Sequence, residues 1–393
     1  MKKFQLFLTC TFLLLMHFSS NAQDSPMQGK KWKVAVFSPL FLDSAFNGSL
    51  DYNYGNNFPK FLNPGLEFYE GIEKAADSLS AMNVPLELHV FDSRSARSSV
   101  SKTIESPRFK DFDLVIGHVN ANEARALAQA AAKFQKPFIN VNYPNDAGIQ
   151  NNPYYVILNS TLDAQFKSLY RHLQRDQNGT EILYVKRKSG NDDRILNEIR
   201  EVEKNTTGPA VKFKVVTLDG MEYGSQLSKY LDSNKNNVIL AGSFDVNFAQ
   251  NLLEDIKDLG ESYPVSLYGM PTWDNLDVAK YGADNISVLY GTPFYINNSI
   301  PLIESLQEEY KEKFYSRPTD MFFRGYETLM HFGLLLKEHG NNIASGLGDK
   351  KFRIFTEFDI QPVLDPKTMT LDYFENKKIY FIQKAGKEIK GVY

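Results

Sequence analysis

The chain has 393 residues, a formal charge of −3, and 42% hydrophobic and 13% aromatic content. That length and apolar content suffice for two well-buried domains, while the slight acidity excludes the basic footprint of a nucleic-acid binder. Cys10 is the single cysteine. It lies inside an apolar run and is followed by more leucine, so it fits neither a lipidation site nor a disulfide framework.

Lys2 and Lys3 form a positive start, Phe4 to Phe18 an apolar run, and Ser20-Asn21-Ala22 a small-x-small cleavage site. This pattern predicts a secretory signal peptide over residues 1–22, because the run is shorter than the roughly 20 residues a membrane span needs. The mature chain then carries no cysteine and no transmembrane span, and its expected location is the periplasm or cell envelope beyond the inner membrane.

Lys33 to Pro39 reads as a buried first strand ending in Ser38. The stretch from Phe41 to Asn63 is rich in Asn, Tyr and Gly; its aromatic residues argue against disorder, and a lid or rim is expected there. Pro64 starts a helix with Leu66, Tyr69, Ile72 and Ala76 on one face. Leu86 to Phe91 is a second strand, in which His89 is expected to be packed or surface-exposed and not catalytic. A weak helix follows over Ser95–Glu105.

Asp113 to Asp146 is the most informative stretch. An apolar run, Leu114 to Ile116, closes on Gly117, an Ala-rich helix covers Asn122 to Phe134, and a second apolar run spans Phe138 to Val141. Two buried strands around a helix make a right-handed βαβ unit. Their carboxyl ends share one sheet edge, where open α/β sheets bind ligands. His118, Asn120, Asn142 and neighbouring asparagines gather there, with Ser38 at the same edge. Turn and cap chemistry would place single asparagines at such positions as well.

After Tyr154–Leu158, a strand, and Thr161–Leu173, a helix, the pattern starts again. Strands are expected at Ile182–Val185, Val211–Leu218, Val238–Ala241, Val265–Tyr268 and Ile286–Tyr290, with helices between them. Two such series predict an α/β protein of two doubly wound, Rossmann-like lobes. Two long helices follow, Pro301–Tyr315 and Asp320–His339. The tail reads as extended strands with turns at Asn376-Lys377-Lys378 and Ala385-Gly386.

No HExxH or paired Cys/His spacing suggests a metal site, and no Walker loop, GxSxG elbow or complete dinucleotide fingerprint is present. No cofactor and no enzymatic activity are expected. Lys186 to Lys188 follow a strand and would suit an anionic ligand, or form a solvated turn. Trp273 would stack on a ring-shaped solute, or anchor the core.

The order of these elements, with DLVIGHVNANEA, KPFINVNYPND, GSFDVNFAQ, LYGMPTWDN and RPTDMFFRGYETLMHFG, resembles the type I periplasmic binding proteins, and more narrowly the leucine- and amide-binding receptors of ABC transporters. The resemblance implies two lobes joined by three chain crossings that close by hinge motion on a small polar solute. The lobes would comprise 31–158 with 294–365, and 159–293 with 366–393. It puts ligand contacts on the loops at Val119–Asn122 and Asn142–Pro144, which include Tyr143. Across the cleft it implies Lys186–Ser189, Ser243–Asp245 and Met270–Trp273, with Phe294-Tyr295 in the hinge.

Ligand-binding residues expected on both grounds are Ser38, His118, Asn120, Asn142, Tyr143, Lys186, Ser243, Asp245, Trp273 and Tyr295. Members that bind amino acids carry an acidic residue after the Gly of the LYG strand, where this chain has Met270, Pro271 and Thr272. The expected role is that of a solute receptor partnered by a membrane permease. The alternative is an envelope scaffold or regulator that keeps the fold and binds a protein or cell-wall partner.

Overall fold

In a computed structural model, the protein is described over residues 31–392 except 221, 261 and 282–285. The predicted signal peptide lies outside the described residues.

Strands β1 (Trp32–Ser38), β2 (Leu86–Asp92), β3 (Leu114–Gly117), β4 (Phe138–Asn140) and β5 (Tyr155–Ile157) run parallel in the order β2-β1-β3-β4-β5. The runs LVIG and FIN are buried along their whole length, as strands covered by helices on both faces must be. Strands β6 (Glu181–Arg187), β7 (Lys212–Leu218), β8 (Asn237–Ala241), β9 (Val265–Tyr268) and β10 (Ile286–Thr292) repeat this as β7-β6-β8-β9-β10. The chain then returns: β11 (Ile360–Leu364) and β12 (Leu371–Asn376) complete the first sheet, and β13 (Tyr380–Ala385) and β14 (Glu388–Val392) the second. Each sheet has seven strands, and the protein is a pair of doubly wound α/β lobes.

The helices that position the site are α1 (Asn63–Ala81), α2 (Ala121–Phe134), α3 (Leu162–Asp176), α4 (Gly190–Lys204), α5 (Val246–Gly260), α6 (Pro301–Phe314) and α7 (Asp320–His339). Pro64 sits in the first turn of α1, where its missing N–H costs nothing. Helices α1 and α7 cross on the first sheet through a reciprocal notch. A Cβ on Gly71 would strike the carbonyl oxygen of Phe322, and one on Gly325 that of Phe68. Gly325→Ala is therefore expected to overpack this crossing and cost about 1–3 kcal/mol, read as a lower Tm in a thermal melt.

Two expectations about the tail are corrected. Asn376-Lys377-Lys378 is not a hairpin turn: β12 pairs parallel to β5, whereas β13 pairs antiparallel to β10 in the other sheet. Residues 371–376 thus belong to the first sheet, and the third crossing falls at 377–379. Alternating apolar residues fit a hairpin and a crossing equally, because strand period says nothing about which edge a strand joins. The Ala385-Gly386 turn does join an antiparallel pair, β13 and β14.

The weak helix begins at Val100, not Ser95. Ser95 and the amide of Ala96 instead hydrogen-bond Asp43. Asp92, at the tip of β2, accepts from the amides of Leu40, Phe41 and Leu42 and so fixes the turn after β1. Beyond it, residues 41–63 are folded by edge-to-face aromatic pairs, Phe41 with Phe61 at 5.2 Å and Tyr52 with Tyr54 at 5.7 Å, each worth about 0.5–1.5 kcal/mol beyond area.

Candidate functional site between the lobes

The carboxyl ends of the two parallel series face each other, because α3 carries the chain from β5 of one sheet to β6 of the other and leaves both lobes with strand tips toward the hinge. Three cavities follow this line. The largest, about 810 Å³, is lined by Asn145, Asp146 and Tyr373 of the first lobe and by Arg187, Arg194 and Asp245 of the second. The next, about 500 Å³, is lined by Tyr143, Asn159, Phe244, Thr272, Asp274 and Arg324. These two share Asn145, Leu162 and Phe244. A third, about 350 Å³, shares Asp274, Thr292 and Arg324 with the second and reaches Tyr295. All fall within or near the 300–1,000 Å³ typical of small-molecule sites. None of the described residues of 41–63 lines them.

The hinge itself is a hydrogen-bonded joint. Thr161, which caps α3, donates its N–H and hydroxyl to Glu375 of β12 at 2.8 and 2.7 Å. Ser160 Oγ donates to the Asn376 carbonyl, and Asn376 Nδ2 returns a bond to the Leu158 carbonyl. The first and third crossings are thus bound to each other.

Ten residues were expected to contact a ligand, and the structure gives most of them other work. Ser38 is fully buried and donates to the Gly65 carbonyl at 2.7 Å. Asn120 caps α2, accepting from the Glu123 N–H while Glu123 accepts from the Asn120 N–H, a complete capping box. Asn142 clamps the backbone of Val119 with both halves of its amide, at 2.7 and 3.0 Å. Lys186 is turned into an ion pair with Asp193 at 2.7 Å. Trp273 is fully buried, its Nε1 donating to the Ser243 carbonyl at 3.3 Å and its ring filling the space a side chain on Gly269 would need. No face of that ring is free for a solute, so the core-anchor reading of Trp273 holds.

Ser243 is also fully buried and belongs to a network centred on Arg187. That guanidinium bonds both oxygens of Asp192 at 3.1 Å, Asp245 at 2.6 Å and Ser243 Oγ at 3.0 Å. The Asp192 bond most, and then that of Asp245, hold the Arg187 pKa up, and the amides of Phe248 and Asn247 with Arg187 hold Asp245 below the ordinary carboxylate range. Asp245 and Arg187 line the large cavity, locked as a pair.

His118 is neutral. Burial, with smaller contributions from the charges of Arg324 and Arg94, pushes its pKa down to about 4, and its Nδ1 is buried without a hydrogen-bond partner. Tyr143 lines the second cavity and Tyr295 the third; the Tyr295 hydroxyl accepts from the Gly391 N–H at 3.1 Å. Tyr143, Asp245 and Tyr295 are therefore brought to the gap between the lobes, while Ser38, Ser243 and Trp273 are turned into the core behind it.

The residue that sequence reasoning missed is Arg324, on the second turn of α7. Its guanidinium lies 4.0 Å over the Phe294 ring and pairs with Asp320 at 2.8 Å, while its Nε is buried with no partner. It lines both smaller cavities, and so does Asp274, whose carboxylate accepts from the Tyr290 hydroxyl at 2.7 Å. A cation and a carboxylate thus share one cavity between the lobes. Together they can hold the two ends of a zwitterion. A lone arginine set among Phe322, Phe323 and Tyr326 was the signal available in the sequence.

The family model described as periplasmic binding protein matches residues 70–347. Among solved structures, a Rhodospirillum rubrum protein named as a putative branched-chain amino acid ABC transporter superposes with a TM-score of 0.65 at 14% identity, covering 92% of this chain and 100% of that one. An ABC transporter substrate-binding protein of Desulfitobacterium hafniense in complex with Leu gives 0.56 at 14% identity, with 92% and 100% covered. A leucine binding protein of Thermotoga maritima gives 0.52 at 16%, with 92% and 98% covered. Among curated proteins none matches this sequence.

Proposed function

The chain belongs to the periplasmic binding protein family, and from that membership we propose that it is an exported, non-enzymatic receptor whose lobes close on a small polar solute and present it to an ABC-type permease. The observation that carries the reading is that Arg324 of the first lobe and Asp274 of the second line one cavity between the lobes. It supports an amino-acid type of solute, bound by its carboxylate at Arg324 and its amine at Asp274. Asp274 takes the place of the acid missing at Met270–Thr272. Phe244 and Tyr143 in the same cavity offer apolar surface to the solute's side chain. Residues 1–22 would direct export to the periplasm, which cell fractionation with and without that segment would check.

A thermal-shift screen against amino acids, amides, sugars and inorganic anions tests the proposal. A true ligand at 100 times its Kd adds about 2.7 kcal/mol, which should raise Tm for zwitterions and leave it unchanged for sugars. A flat profile across the whole set would overturn it.

A further inference from the structure

A fourth cavity, about 620 Å³, opens outside the cleft, where α3 meets the third chain crossing. One face of α3 lines it with Lys167, Arg171 and Arg175, four residues apart and so stacked along one stripe, and the crossing supplies Lys377 and Lys378. The single carboxylate in the lining is Asp359, which accepts from Gln361 Nε2 at 2.7 Å. Lys167, Arg175 and Lys377 have counter-ions in Asp163, Asp176 and Glu375, none of which lines the cavity. Arg171 and Lys378 form no ion pair with any described residue.

An imidazole completes the wall on the α3 side. His172, only 3% exposed, forms part of the cavity wall, its ring stacked 3.9 Å from that of Phe381. Its Nδ1 lies 3.1 Å from an Arg175 nitrogen and 3.2 Å from Asp176 Oδ2. Arg175 and Asp176 thus both hold the same ring nitrogen and fix the imidazole in the wall.

We infer that this cavity is a second binding site, specific for a small multivalent oxyanion such as a phosphate or phosphate ester. Cations from both α3 and the crossing match a ligand with several charged oxygens, and a concave site of this volume suits a small molecule better than a flat membrane. The site also joins the lobes. Asp359 and Gln361 adjoin the first sheet, α3 and Phe381 belong to the second, and Lys377 and Lys378 lie in the chain between them. An anion held there ties the outer side of the hinge and biases the lobe angle.

Calorimetric titration of the mature chain with inorganic pyrophosphate at fixed ionic strength tests this. Saturable binding at one site per chain is expected. Arg171→Glu alone should weaken it at least tenfold, Arg171→Glu with Lys378→Glu should abolish it, and Asp359→Asn should tighten it, while all variants keep the wild-type melting profile. Absence of saturable heat in the wild type, or unchanged affinity in the double variant, would overturn the inference. So would retention of the protein on phosphatidylglycerol vesicles without any response to pyrophosphate, since that pattern marks a surface patch and not a cavity.

Discussion

Arg324→Ala should weaken binding of the cleft solute on the order of 100-fold, because truncating one partner of a desolvated, charge-assisted contact costs about 2–5 kcal/mol. The thermal shift given by the wild-type ligand would vanish with it. Arg324→Lys keeps the charge but loses the planar fork and its stacking on Phe294, so recovery should be partial. The variant also separates two causes acting on His118. Burial is the largest of them, so NMR titration should find the imidazole still neutral near pH 7 after the charge is removed. Equal solute affinity in wild type and Arg324→Ala would refute the assignment of the anchor.

Glu327→Ala should be the most damaging single change to stability, costing about 3–5 kcal/mol. Glu327 is 1% exposed on α7 and accepts from the Phe355 N–H at 3.1 Å and from the N–H and hydroxyl of Thr356 at 2.5 Å. Alanine leaves all three donors buried without an acceptor. Burial pushes this carboxyl up to about 7 from an ordinary 4.5, against the pull of its donors. A raised carboxyl pKa means that the folded state holds the proton more tightly. Its stabilisation is complete below pH 4.5 and disappears as the pH climbs through 7. Relative to Glu327→Gln, which has no such proton, wild-type Tm should therefore fall between pH 5 and pH 7.

The opposite limit belongs to His331, one turn further along α7, whose pKa burial pushes down to about 4. A depressed imidazole loses stability as the pH drops from 6.5 towards 4. Chemical denaturation at several pH values would resolve the two slopes, and an unchanged slope in Glu327→Gln would count against a shifted carboxyl.

Most strands and helices were legible because apolar runs of three to five residues, bounded by Gly, Pro and Asn, alternate with helical periods. Asn120, Thr161 and Thr319 precede helices and accept from their first amides, and for Asn120 this capping displaces the ligand contact expected from the sequence. The site was read less well, and parity explains part of it. Along β6 successive side chains point to opposite faces, so Lys186 turns to Asp193 while its neighbour Arg187 reaches Asp245 and the cavity. Loops were placed more securely than side chains. Tyr143 and Phe244 face the gap, whereas the adjacent Asn142 and Ser243 are consumed by backbone and by Asp192. Arg324 was hidden for a geometric reason. It lies roughly opposite the Phe322, Tyr326 and Met330 stripe, where a helix normally meets solvent, but here that side meets the hinge.

The first sheet is assembled from both halves of the chain, since β12 docks against β5 and α7 crosses α1. During synthesis the opening 158 residues must therefore wait, with β5 lacking its neighbour and α1 lacking its cover, until some 200 further residues have left the ribosome. Pairing of such distant segments is slow, so the first lobe closes only after the second has been made.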